Sequence, residues 1–545
     1  MTSQLLIPLL VFLPMLVGVL LCLVAGKKSS WISDIATSFS GLMVFAAIAL
    51  LWAVQSAQGS LESVGLIQPQ IVFSPSWMEL KLPFAIQGHS VNWQLQMGAD
   101  SFSAMMVLLT SLVTFAVLMT ARTQITQRRD LYDGMILITQ GILMGIFLAM
   151  DLLLFYVFFE AVLIPIILLM NIWGDPKESL RASRKFLLFT LAGSIPMIVG
   201  IVGIVLQSAT AERASTVLLP ELSAIAFEAQ LTSGIPVSFA SSQFLILAAL
   251  MLGFGIKMAL LPLHSWLPTT YSASHPNTTA LIAAVVGKLG VYGLLRIVLP
   301  LTPVALSVYC QIVFGTLGAI AIVYGALIAL KQTDLRRLIA YSSISHMGFV
   351  TLGLMAMNRE GIAGATIQMF NHGLITAAMF LMVGMIEQRR GRLILGNENY
   401  GLAAAYPHLG FLMVFFTLAG AGLPGLNSFV GEILAMMGMF RVSAGIVGIA
   451  VLGTVLGAWY ALRVLQHVMF SSDGKTTKQS AGTSDIGWAD WGALAPLALL
   501  CIVIGVHPAT FTDTMKVDVD RMAVSLEPMV KALHPTFDTL VIVKK

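Results

Sequence analysis

Apolar runs of about 17–25 residues, the length needed to cross a hydrocarbon layer, recur about 14 times along the chain. They fall near 5–25, 32–55, 102–121, 133–149, 152–173, 186–207, 242–266, 278–299, 303–330, 337–357, 361–386, 408–440, 444–470 and 490–506. The pattern predicts an all-α polytopic membrane protein with about 14 transmembrane helices. The division between the fourth and fifth runs, around Met150 and Asp151, is the tightest. The seventh and twelfth runs are interrupted, near Pro262 and Pro424. Proline removes a helical N–H there and frees carbonyls, which membrane proteins tolerate where protein or water can satisfy them.

The breaks suggest an internal duplication. Runs four to eight correspond to runs nine to thirteen, each set carrying its break in the fourth member. An odd number of spans per copy inverts the second copy and places discontinuous helices near the midplane. The chain then divides into 1–131, three helices with an outer hairpin; 132–300, a first antiporter-like five-helix repeat; 301–470, a second, inverted one; and 471–545, a last transmembrane helix and an amphipathic tail. The hairpin is predicted from the alternation in WMELKLPFAIQGHSVNWQLQM within 58–101. In the tail, Met522, Leu526, Met529, Val530 and Leu533 share one helical face, which predicts an interfacial or partner-docking helix.

Orientation follows from the basic residues. With the N-terminus outside, the inner loops hold Lys27, Lys28, Arg122, Arg128, Arg129, Lys177, Arg181, Arg184, Lys185, Lys331, Arg336, Arg337, Arg389, Arg390, Arg392, Lys475 and Lys478. The outer loops hold Lys81, Arg213, Arg296, Arg359 and Arg441, so the asymmetry is 17 to 5. MTSQLLIPLL lacks the basic start of a signal peptide, so the first span is expected to be retained.

Composition narrows the function classes. The chain is 57% hydrophobic and 10% charged, against about 25% charged in globular proteins, which excludes a soluble domain. A net charge of +4 over 545 residues gives no reason to expect nucleic acid. Cys22, Cys310 and Cys501 lie in apolar runs without the spacing of a zinc, iron–sulfur or disulfide framework, so no metal site is expected. Gly420-Ala-Gly422-Leu-Pro-Gly425 matches a dinucleotide fingerprint by letter, but no strand precedes it and Pro424 interrupts it.

The candidate chemistry lies inside the spans: Glu160, Lys257, Lys288, His264, His346, His372 and Glu432. A charged side chain at the bilayer centre costs about 3 kcal/mol on insertion scales, so such groups read as functional. Burial and neighbours can bring carboxylates, amines and imidazoles to similar proton affinities. Linked by water and by Ser342, Ser343, Ser345, Asn371 and Thr376, they would form a proton relay. Glu160 with Lys257 is the natural switch pair, and Glu432 lies nearest the outer exit. The plainer readings stand beside this one: a structural ion pair for Glu160 or Glu432, snorkelling lysines, and polar helix–helix contacts for the histidines, most of all for His264.

The stretches FFEAVLIPIILLMNIWG, KFLLFTLAGS, KMALLPLHSWLP, GKLGVYGLLR, LRRLIAYSSISHMGF, QMFNHGLITAAMFLMVG and GLPGLNSFVGE resemble the subunit M (chain 4) family of bacterial NADH:quinone oxidoreductase, respiratory complex I. The resemblance spans most of 95–470. It implies an antiporter-like membrane-arm subunit that moves one proton per cycle and has no redox centre, cofactor site or metal of its own. NADH, FMN, iron–sulfur clusters and quinone would be used in other subunits. The implied partners are other membrane-arm subunits in a hetero-oligomer, within the lipid bilayer of a bacterial cytoplasmic (inner) membrane. By motif, Glu160, Lys257, Lys288 and Glu432 match the family's essential glutamate, its partner lysine, the middle lysine and the terminal carboxylate. His346 and His372 match histidines of the central polar axis. The chain departs from the family at Thr269–Pro276, where an Asp is missing. Rival readings are an Mrp-type Na+/H+ antiporter subunit, a membrane-bound hydrogenase or formate-lyase relative, and a purely structural spacer.

Overall fold

A computed structural model describes residues 2–24, 30–57, 66–75, 79–86, 89–209, 215–233, 242–302, 310–395, 400–470 and 484–533. Among these are 12 helical stretches long and apolar enough to span a membrane. Two broken passes join them, Ser242–Lys257 with Trp266–Ala273 and Pro407–Gly420 with Asn427–Phe440. Together they make the 14 expected, interrupted where Pro262 and Pro424 stand.

The connections meet alternately at two ends, as successive crossings require. At one end Trp173 donates to the Gln127 carbonyl, the Asp175 N–H to the Ala273 carbonyl and Gln388 to the Thr123 carbonyl. Arg336 there pairs with Glu387, and Arg392 with Asp334 at 2.6 Å and Asp175 at 3.5 Å. This basic end carries the arginines assigned to the inner loops; Lys27, Lys28, Lys475 and Lys478 lie outside the described residues, as does Arg213 of the outer set. At the other end Asp151 bridges Leu218, Met97 bridges Ala149, and Arg359 pairs with Asp520 at 2.7 Å.

Irregular backbone recurs at corresponding places in the two five-helix sets. Asp151 and Asp334 cap the second helix of each, taking the Leu154 N–H at 2.7 Å and the Arg336 N–H at 2.8 Å. Each also bridges the connection after the third helix, at Leu218 and Ile394. The fifth helix of each has a π-helical turn in its last part, Leu294–Val298 and Leu465–Met469. The fifth pass has a dislocation the sequence reading missed: it divides at Val162 into Leu152–Ala161 and Leu163–Trp173. Pro165 has no N–H for the Ala161 carbonyl, and the turn loosens.

The atypical 269–276 connection is built around His275. Its Nδ1 accepts the Asn277 N–H at 3.3 Å and caps the helix that Pro276 begins. Burial, and secondarily the Arg336 guanidinium, pushes this imidazole down to about 4. At neutral pH it is therefore an uncharged acceptor, as a cap requires.

Three expectations about the non-basic end change. The single hairpin is two nested ones: Glu79–Ile86 pairs with His89–Gln94, and outside it Ile71–Phe73 pairs with Met97–Ala99. The tail helix Ala509–Leu533 does not wait for a partner, since Phe511, Met515, Val519, Met522 and Leu526 bury against this chain, Phe511 facing Phe370 at 5.4 Å. The side chains of Met529, Val530 and Leu533 lie outside the described residues. Arg296, counted above as an outer-loop residue, is buried in its π-helical turn, where it pairs with Asp100. Its span continues to Leu301, and the wider turn admits the guanidinium.

Asp518 fixes the tail to this cluster, accepting from Ser101 N–H at 3.0 Å, Gln70 at 2.9 Å and Arg521 at 3.1 Å. Asp518→Asn should cost about 3 kcal/mol, because it leaves the buried Arg521 without its charge partner. Limited proteolysis of the purified protein should then release the tail; a tail as protected as in the unsubstituted chain would refute this.

Candidate functional site

Glu160 and Lys257 occupy the first half. Glu160 is partly buried one residue before the Ala161–Val162 dislocation, and its Oε1 accepts from Ser194 Oγ at 2.5 Å. Lys257 is the last residue of its half-helix, because the chain turns away at Met258–Ser265. Its ammonium is buried, finds no hydrogen-bond partner among the described residues, and lies over the Phe159 ring, 4.6 Å from the centroid. Glu160 bears on it electrostatically without reaching hydrogen-bond distance. The break is closed by Trp266, whose indole N–H donates to the Ile256 carbonyl at 2.8 Å, beside the Ala259 N–H at 3.1 Å.

Lys288 stands next, with no exposed surface. Val286–Lys288 is a 3-10 turn in which the Lys288 N–H bonds Val285, three residues back, at 3.0 Å. The shift in register leaves the Ala283 carbonyl to the Lys288 ammonium at 2.5 Å. Gly290 brings the two lysine-bearing segments together, since a Cβ there would lie 2.5 Å from the Phe254 carbonyl oxygen and 2.6 Å from the Met258 nitrogen.

From Lys288 the line passes to histidines. His372 is buried within electrostatic reach of Lys288 and His346, and neither of its ring nitrogens has a hydrogen-bond partner among the described residues. Its ring lies 5.2 Å from that of His346. His346 Nδ1 is 3.2 Å from Glu432 Oε1, and its Nε2 is 3.4 Å from the Tyr460 hydroxyl. The carboxylate also accepts from Ser428 at 3.0 Å and Gln368 at 3.5 Å. Within the break, Gly422 (φ +73°) lies against it: a Cβ there would come within 2.9 Å of Glu432 Oε2. Only glycine fits that backbone and that approach.

A cavity of about 40 Å³ adjoins both histidines, and Ser342, Thr376, Thr417 and Tyr460 share its walls. That is room for two or three waters. Its lining continues through Ile339 and Leu338 toward the basic end.

Against this geometry, residues 149–457, more than half the chain, match the family described as NADH:quinone oxidoreductase/Mrp antiporter, transmembrane. The chain belongs to that family. The match covers every element that carries the polar line. Among members of the family, the chain is similar to NADH-quinone oxidoreductase subunit M of Rhodobacter capsulatus, 36% identical over 77% of this chain and 80% of that protein. It is likewise 36% identical to F(420)H(2) dehydrogenase subunit M of Methanosarcina mazei, over 82% of this chain and 85% of that one. A chain of respiratory complex I from Thermus thermophilus with bound NADH superposes with a TM-score of 0.78 at 31% identity, over 97% of this chain and 99% of that one.

Of the residues singled out from the sequence, Lys288, His372, His346 and Glu432 stand in one line, with Glu160 and Lys257 beside it. His264 stands apart, its Nε2 3.1 Å from the Tyr324 hydroxyl. All four hydroxyls donate to backbone carbonyls, Ser342 and Ser343 to Ile339, Ser345 to Ile322 and Thr376 to His372, and Ser342 and Thr376 also line the cavity. Asn371 donates to the Asn427 carbonyl at 2.6 Å, tying the line to the second break. Ser194, Gln368, Ser428 and Tyr460 were not foreseen. Gln368 lies one turn before His372, and Ser428 one turn before Glu432, so helical spacing from the ionisable residues was the signal available. Tyr460 stands three residues before Arg463, but none of the ionisable residues singled out lies in its span.

Proposed function

We propose that the chain is the proton-translocating, antiporter-like membrane subunit of an NADH:quinone oxidoreductase, assembled with other membrane-arm subunits. NADH, FMN, iron–sulfur clusters and quinone belong to those partners, and this chain contributes titratable side chains and the water between them. The supporting observation is the buried line Lys288–His372–His346–Glu432 with a water-sized cavity beside it. A structural role would not reward burying four such groups, because taking a titratable group out of water costs several kcal/mol that pairing only partly repays.

In this reading the basic end faces the cytoplasm and the N-terminus lies outside, in the inner membrane of a bacterium. A proton enters through the cavity by way of Ser342 and Thr376 and protonates His346 or His372, each imidazole accepting on one nitrogen and releasing from the other. Approach of the Lys257 ammonium to Glu160, or its withdrawal, alters the field at Lys288, where the two lysine segments touch. Lys288 then biases the histidines, and Glu432 passes the proton to the outer side. The division into 1–131, 132–300, 301–470 and 471–545 belongs to the same proposal, the two middle segments supplying the lysine pair and the histidine–carboxylate set.

Purification in mild detergent tests the assembly. Chains with quinone-reductase character should co-purify, and quinone reduction in sealed vesicles should drive proton movement. Co-purification with cation-antiporter chains, and Na+/H+ exchange without redox activity, would overturn the reading.

A further inference from the structure

The Lys257 ammonium is buried where no carboxylate or carbonyl of the described residues receives it. Two ring faces do: Phe159 at 4.6 Å and Phe186 at 5.9 Å from their centroids. A cation is attracted to the negative face of an aromatic ring, more strongly where water is excluded, whereas a neutral amine is not. The rings are themselves fixed. Phe159 stacks on Phe155 at 5.5 Å and receives Phe254 edge-on at 5.8 Å. Phe186 packs on Trp266 at 5.2 Å, and Trp266 holds the Ile256 carbonyl next to Lys257.

We propose that the faces of Phe159 and Phe186 form a seat for the protonated Lys257 side chain, the second of two positions between which it moves, the first being Glu160. Phe159 directly precedes Glu160 on the half-helix that ends at the Val162 dislocation. One short segment therefore carries both the carboxylate that attracts the ammonium and the ring that holds it away. Without the seat, an ammonium leaving Glu160 would have to shed its proton or stay. With it, the charge is held while the Glu160 field at Lys288 changes. Phe186 and Trp266 are positioning residues. The inference rests on the relay proposed above.

The test uses the whole complex in inverted vesicles, reading proton translocation against quinone reduction. Phe159→Leu, which keeps bulk and removes the face, should lower translocation about fivefold or more, and Phe159→Tyr should restore it. Phenylalanine carrying one, two and three ring fluorines at position 159 should lower the rate progressively, because fluorine drains the face without changing the packing. Phe186→Leu and Phe186→Tyr repeat the comparison if a Phe159 variant does not assemble. Equal rates for Leu and Tyr, or a flat fluorine series, would overturn the seat. Lys257→Ala run in parallel separates the two ideas: if it abolishes translocation while the fluorine series is flat, only the seat fails; if it leaves translocation intact, the relay itself fails.

Discussion

Lys257→Ala in the assembled complex is expected to abolish coupled proton translocation, by at least about a hundredfold, the scale on which a positioned acid–base group acts. Glu160→Gln should approach the same loss. The two act as a pair, so the double variant should be little worse than either alone. Volume is not the issue, because Glu160→Gln keeps shape and can still take the Ser194 hydroxyl. What it removes is the charge that draws the ammonium from the rings. Glu178→Gln is the control, since Glu178 lies at the basic end and only grazes Arg392 at 4.0 Å. Measured on complexes with matched subunit content, equal effects for Glu160→Gln and Glu178→Gln would refute the pair.

Glu432→Gln is expected to slow translocation about ten- to hundredfold, with assembly preserved. Its carboxylate gathers Ser428, Gln368 and His346. The amide keeps an oxygen for Ser428 but has no proton-accepting charge, so His346 loses the group to which it would pass its proton. A charge-assisted contact to a buried imidazole contributes about 1.5–3 kcal/mol, which is about one to two decades in rate. His346→Gln should show a comparable loss without adding to it. An unchanged rate and proton-to-electron ratio in Glu432→Gln would remove Glu432 from the route.

The spans were legible because a bilayer leaves the chain little choice. With no water to satisfy the backbone, each crossing must be a helix of sufficient length, and apolar run length reads out directly. The breaks were legible for the same reason, since Pro262 and Pro424 lack an N–H whatever surrounds them. Arg296 was misread because it was counted with the outer loop although its own apolar run, 278–299, already reached past it; a π-helical turn beside Asp100 accommodates the guanidinium within the span. The tail was half legible: its apolar face was evident, but what covers it depends on Phe370 and Arg359 of a distant helix.

From sequence alone came the number of crossings, their two interruptions, and a set of titratable groups too deep for lipid to tolerate without purpose. These are properties of each segment against the bilayer, so each segment carries its own answer. Only the tertiary structure decided which of those groups meet. That depends on helix rotation and on local faults in the backbone: the 3-10 turn that hands the Ala283 carbonyl to Lys288, the dislocation beside Glu160, the close approach at Gly290, and the Gly422 turn on which Glu432 rests. Packing between helices sets these, and no single span records the rotation of its neighbour.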